Sequence, residues 1–110
     1  MKEKIEKFLE KRLNDLEKDF KSDEYAELIL NDNFALWTML DEDEDGSFVF
    51  IELLGKDEDD FHYEDVMVSM TLDSVEMIDD YAEYIIKKMN EIMEEEKEYK
   101  EKLEREKTEA

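Results

Sequence analysis

Residues 34–54 read FALWTMLDEDEDGSFVFIELL, two apolar runs around five consecutive acids and a glycine, Asp41-Glu42-Asp43-Glu44-Asp45-Gly46. The first run alternates, with Phe34, Leu36, Thr38 and Leu40 on one side and Ala35, Trp37 and Met39 on the other. That two-residue period is the signature of a strand. The second run, residues 47–54, is rich in Phe, Val and Ile, which suit a pleated surface. A glycine after an aspartate between such runs is hairpin chemistry, here with a loop expected to exceed the two-residue minimum. Two antiparallel strands are therefore expected, and the rest of the chain is read around them.

Downstream, Gly55 ends the second strand and residues 56–60, KDEDD, form a charged loop. A third strand follows, with Val66, Val68, Met70 and Leu72 on one face and Met67, Ser69 and Thr71 on the other. Asp73 or Ser74 caps a long final helix whose buried stripe is Met77, Ile78, Tyr81, Ile85, Met89 and Ile92. Ile78, Ile85, Ile92 and Tyr99 lie seven apart, a hint of a coiled-coil seam that Glu96 interrupts.

Upstream, Ile5, Phe8, Leu9, Leu13, Leu16 and Phe20 recur at helical spacing and predict an amphipathic helix over residues 2–21. Ser22 offers an N-cap, with Asp23 and Glu24 in a first turn, so residues 23–30 read as a second, short helix burying Tyr25, Leu28 and Ile29. Asn31-Asp32-Asn33 is a turn. The expected architecture is α+β, α(α)βββα: a three-stranded antiparallel sheet packed on one face by an N-terminal helix and a long C-terminal helix. In a chain of 110 residues this is one acidic domain over residues 1–93, with a charged helical extension over residues 94–110.

Composition removes several function classes. There is no cysteine and a single histidine, His62, so disulfides, thiolate nucleophiles and the usual structural zinc sites are not expected. Two glycines are too few for a phosphate-cradling loop. No nucleophile elbow is present, and an enzyme is not expected. No signal peptide or membrane span is legible, so a soluble, cytoplasmic protein is expected, as monomer or homodimer. Trp37 reads as a core residue and the methionines as fillers; Phe61 and Tyr63 around His62 suggest a docking edge.

Charge is the informative quantity. Formal net charge is −21, and it is unevenly placed. Residues 1–22 hold 6 acids and 7 bases, residues 87–110 hold 9 acids and 7 bases, and residues 23–86 hold 21 acids and one base, Lys56. Such an excess repels nucleic acid and anionic membranes and opposes compaction. Solubility needs a net magnitude of only roughly 2–8. Its natural partners are cations or basic protein surfaces.

The cation reading is specific in form. Asp41, Asp43, Asp45, Gly46 and Glu52 match D-x-D-x-D-G-x5-E, the calcium loop of an EF-hand, with Asp41, Asp43, Asp45 and Glu52 as carboxylate ligands of Ca2+. Against it, Val49, Phe50 and Ile51 stand where an exiting helix should begin, and Gly55 would break that helix.

The second reading is mimicry of nucleic acid. Carboxylates at i,i+3 or i,i+4 on a helix lie ~5–6 Å apart, and those on one side of a strand ~6–7 Å apart. Phosphates follow a strand at roughly twice the ~3.4 Å axial rise. Asp73, Glu76, Asp79, Asp80 and Glu83 then form a phosphate-like row on the last helix. The acids of the turn, Asp41 to Asp45, and Asp57, Glu58, Asp59, Asp60, Glu64 and Asp65 are read as continuing it across the sheet end. A small acidic αβ protein of this kind resembles the inhibitors that phages use against restriction and CRISPR enzymes, several of which imitate DNA. The resemblance implies a partner with a basic nucleic-acid-binding surface and no direct nucleic-acid binding. An acidic interaction domain working through its apolar sheet is the remaining alternative.

Overall fold

A computed structural model describes residues 1–18, 25–56 and 62–109. Helix α1 spans Lys2–Lys18. Four strands follow, β1 Tyr25–Ile29, β2 Phe34–Asp43, β3 Gly46–Gly55 and β4 Asp65–Leu72, and helix α2 spans Ile78–Glu109 after a 3-10 turn at Val75–Met77. The strands form one antiparallel meander in the order β1-β2-β3-β4. The α+β class, the two terminal helices and the antiparallel sheet agree with the sequence reading. The sheet has four strands, not three.

The extra strand is the segment read as a short helix. Residues 25–29 pair with β2 from Tyr25 opposite Met39 to Ile29 opposite Ala35. Tyr25, Leu28 and Ile29 fit helical spacing, but Ala26, Leu28 and Leu30 also alternate inward, and so short a segment carries both periods. Pairing decides it, because β2 otherwise leaves a row of backbone donors and acceptors beside the core. The Asn31–Asn33 turn is present as a strand connection: Asn31 Oδ1 accepts the backbone N–H groups of Asn33 at 2.8 Å and Phe34 at 2.9 Å.

The core lies between one sheet face and both helices. Ile5, Leu9 and Leu13 from α1 meet Leu36, Leu40, Val49, Ile51, Leu53 and Leu72 from the sheet, and Ile78, Ala82, Ile85 and Met89 from α2. Met77, expected in the stripe of α2, instead sits exposed in the 3-10 turn that Ser74 caps. Phe20, at the end of the expected first helix, is outside the described residues. Two contacts tie the ends of the layers together. Tyr81 donates to the Thr71 carbonyl at 2.7 Å, and Lys4 Nζ donates to the Ile29 carbonyl at 3.0 Å.

The helix–loop–helix frame of an EF-hand is absent from residues 34–55. Strands β2 and β3 are joined by a two-residue turn, Glu44-Asp45, closed by the pair Asp43–Gly46, shorter than the sequence reading expected. The β-branched and aromatic residues after Gly46 build a strand where that motif requires a helix.

Candidate functional site

The acidic tip of the β2–β3 hairpin is the densest charge in the structure. Gly46 has φ +136°, a conformation open to glycine and costly for other residues. Asp43 Oδ1 accepts the Asp45 N–H at 2.9 Å, an Asx turn that fixes the loop. Asp41 Oδ1 accepts the Glu42 N–H at 2.8 Å. Glu42 to Asp45 are exposed and Asp41 is half-buried. Among the described residues none of these five carboxylates forms an ion pair. Asp41 and Asp43 lie on one side of β2, two residues apart and so ~6–7 Å along the strand. Glu52 lies deep in β3, opposite Trp37. Asp41, Asp43, Asp45 and Glu52 do not gather into a cluster tight enough to share one ion among the described residues.

The acids of α2 are placed differently. The carboxylates of Asp79, Asp80 and Glu83 lie within 4.8 Å of one another, but a cation of the chain itself stands among them. Lys2 Nζ is 2.7 Å from Asp79 and 2.9 Å from Glu83. These hydrogen bonds, Asp79 first and Glu83 second, hold the ammonium charged well above its usual range. The phosphate-like row expected on this helix is thus partly neutralised by α1. Asp73 and Glu76 are exposed where the chain leaves β4.

The expected acidic surface is not one continuous row. Leu72, just before Asp73, pairs with Val49 toward the hairpin tip, whereas Asp65 pairs with Gly55 at the other end of the sheet. Gly46 and Gly55 are the two ends of the ten-residue strand β3, so Glu64 and Asp65 stand about 30 Å from the tip. Asp57, Glu58, Asp59 and Asp60 are outside the described residues, as is Phe61. Tyr63 is engaged structurally: its hydroxyl donates to the Asn31 carbonyl at 2.7 Å, and Lys56 lies over its ring.

No family model, curated protein or solved structure matches this chain.

The sequence reading raised an apolar sheet surface only as an alternative and placed Trp37 away from it. Trp37, expected in the core, is half-buried on the sheet face turned away from both helices. Its ring stacks on Tyr25 with centroids 6.3 Å apart and meets Phe50 edge-on at 6.4 Å. The signal was in the alternation itself, since Trp37 and Met39 fall on the side opposite Leu36, Thr38 and Leu40. Among the described residues no helix is long and apolar enough to cross a membrane.

Proposed function

We propose that this protein is a nucleic-acid mimic that binds the basic nucleic-acid-binding surface of a DNA- or RNA-handling enzyme and blocks it. The observation carrying this reading is the excess of 21 acids over one base in residues 23–86, together with tip carboxylates that form no ion pair among the described residues. A charge of this density steers a basic groove toward the tip and accelerates encounter. Once bound, the tip excludes nucleic acid from the groove by occupying it. The action is steric and electrostatic rather than catalytic, and its setting is the cytoplasm, where such enzymes work. The hairpin tip is the leading contact, because among the described residues its acids hold no cation whereas Asp79 and Glu83 already hold Lys2.

The test is affinity capture of a nucleic-acid-handling enzyme on the immobilised protein, eluted with salt and separately with double-stranded DNA. Capture that DNA reverses, and that is lost when Asp41, Asp43 and Asp45 become Asn and Glu42 and Glu44 become Gln, is the expected result. Capture that persists in excess DNA, or that survives neutralisation of the tip, overturns the reading.

A further inference from the structure

The sheet face opposite the helices is uncovered among the described residues, and its composition is selective. Tyr25 is 67% exposed, Ile29 56% and Val66 54%. Tyr25 stacks on Trp37, and Ile29 lies farther along β1, opposite Ala35. The register shift at Leu53/Leu54 sets Val66 opposite Leu54 rather than on the core side expected for it. Apolar surface left open in this way marks an interaction site. The register adds charge to it. Glu27 lies directly opposite Trp37 on one side and Glu52 directly opposite on the other. One cross-strand row therefore reads Glu27–Trp37–Glu52, with the glutamate backbones about 10 Å apart. Neither glutamate has an ion-pair partner among the described residues. None of the four strands among the described residues contains a lysine, arginine or histidine.

We propose that this face is a second docking surface, for a partner segment that alternates arginine with apolar side chains. The inference rests on the reading of the partner as a basic protein and adds a second point of contact. Charge complementarity selects the occupant. A second copy placed face to face brings four glutamates together with no cation on either sheet, a juxtaposition that costs affinity. An arginine seated at the Trp37 row meets aromatic rings, which attract guanidinium, and a carboxylate on each side. Apolar residues flanking it cover Tyr25, Ile29 and Phe50. Lysine fits the charge but not the planar stacking.

Trp37 is the only tryptophan in the chain, so its emission reports on this face alone. The full-length protein is titrated with three synthetic peptides: Ac-RFRVRF-NH2, hexa-arginine, and Ac-EFEVEF-NH2. The alternating basic peptide is expected to shift and saturate Trp37 emission at least tenfold more tightly than hexa-arginine, and the acidic peptide to do nothing. The double variant Glu27→Gln/Glu52→Gln should weaken binding about tenfold while its thermal melt falls no lower than that of the parent. The neutralised hairpin tip should leave the peptide response intact. An unmoved Trp37, equal binding of hexa-arginine, or loss at the tip variant but not at the glutamate variant overturns the proposal. So does sedimentation showing a dimer with Trp37 buried. If the Trp37 response holds while DNA fails to displace the captured enzyme, mimicry falls and this surface stands. If DNA-reversible capture holds and Trp37 is silent, this surface falls and mimicry stands.

Discussion

Arg12 shows how a single charged residue is held in the core. It lies on the apolar stripe of α1, between Leu9 and Leu16, and is 3% exposed. Its Nε donates to Thr38 Oγ1 at 2.9 Å and its Nη1 to Asp15 Oδ2 at 3.1 Å. Thr38 Oγ1 in turn donates to the Ala26 carbonyl at 3.0 Å, so one chain of hydrogen bonds links α1, β2 and β1. Hydrogen bonds to a charged group contribute about 1.5–3 kcal/mol. Arg12→Met should lower stability by about that amount in a urea melt, and Arg12→Lys should not restore it, because an ammonium cannot reproduce the planar fork. A loss under about 0.5 kcal/mol, the level of an ordinary surface change, would show the network to be dispensable. Tyr81 offers a spectroscopic counterpart. Burial, and then the nearby Asp73 charge, raise its hydroxyl above the usual 10.0. The folded state favours the neutral phenol, so this stabilisation is complete below pH 10 and is lost as pH rises through the raised folded value. In a titration followed at 295 nm, Tyr81→Phe should remove the latest-rising component. Loss of an early component instead would contradict the assignment.

At the scale of elements, the two glycines separate backbone strain from crowding. Gly46 has φ +136° and nothing within 4 Å of a built Cβ, whereas at Gly55 a Cβ would meet Met67 Cε at 2.5 Å. Met67 Cε is the far end of a flexible side chain that is 37% exposed, so it can swing away. Gly46→Ala should therefore destabilise the protein more than Gly55→Ala, by about 1 kcal/mol; equal or reversed losses would mean that crowding governs. The hairpin also bears on calcium. With strands on both sides of the acidic turn, Ca2+ and Mg2+ should raise the melting temperature equally, through screening, and Glu52→Gln should change neither response. A calcium-selective rise lost in Glu52→Gln would restore a true site. Both terminal helices and strands β2 and β4 were legible from period, because each apolar pattern ran long enough to have one reading, and β3 from its Phe, Val and Ile content after the glycine turn. β1 was not legible, since five residues fit both periods and its fate was decided by pairing with the open edge of β2 across the Asn31–Asn33 turn, which periodicity within the segment does not report. Exposure of the tip acids was legible; the Lys2 bridge to Asp79 and Glu83 was not, because it joins residues about eighty positions apart.

At the scale of the whole molecule, shape and charge set the behaviour. The radius of gyration is 16.8 Å and the long axis 61 Å, against about 13 Å for the radius of a compact chain of this size. The excess comes from α2, whose 32 residues extend about 48 Å. No residue beyond Met89 with a described side chain is buried. Of the heptad-spaced positions, Ile78 and Ile85 are in the core and Ile92 packs partly against it, leaving only Tyr99 fully outward for a seam. Removing residues 97–110 should leave the melting temperature within about 2 °C, a shift worth well under 1 kcal/mol; a larger drop would give the extension a folding role. The cross-section of the molecule is 25 by 25 Å, smaller than the ~30 Å Debye length at 0.01 M salt. At that ionic strength every acid of residues 23–86 repels the others. At 1 M the reach falls to ~3 Å and only immediate neighbours interact. The described ion pairs oppose this trend only weakly, since most join exposed side chains and such pairs contribute little. Repulsion dominates the balance. Raising NaCl from 0.01 to 0.5 M should therefore increase the melting temperature by roughly 5 °C or more, about 1 kcal/mol for a domain of this size. Neutralising the five acids of the hairpin tip should remove part of that increase and raise the low-salt melting temperature directly. A melting temperature that is flat or falls with salt would mean that the acids are held by attractive networks, and the uncompensated charge on which a basic partner depends would not exist.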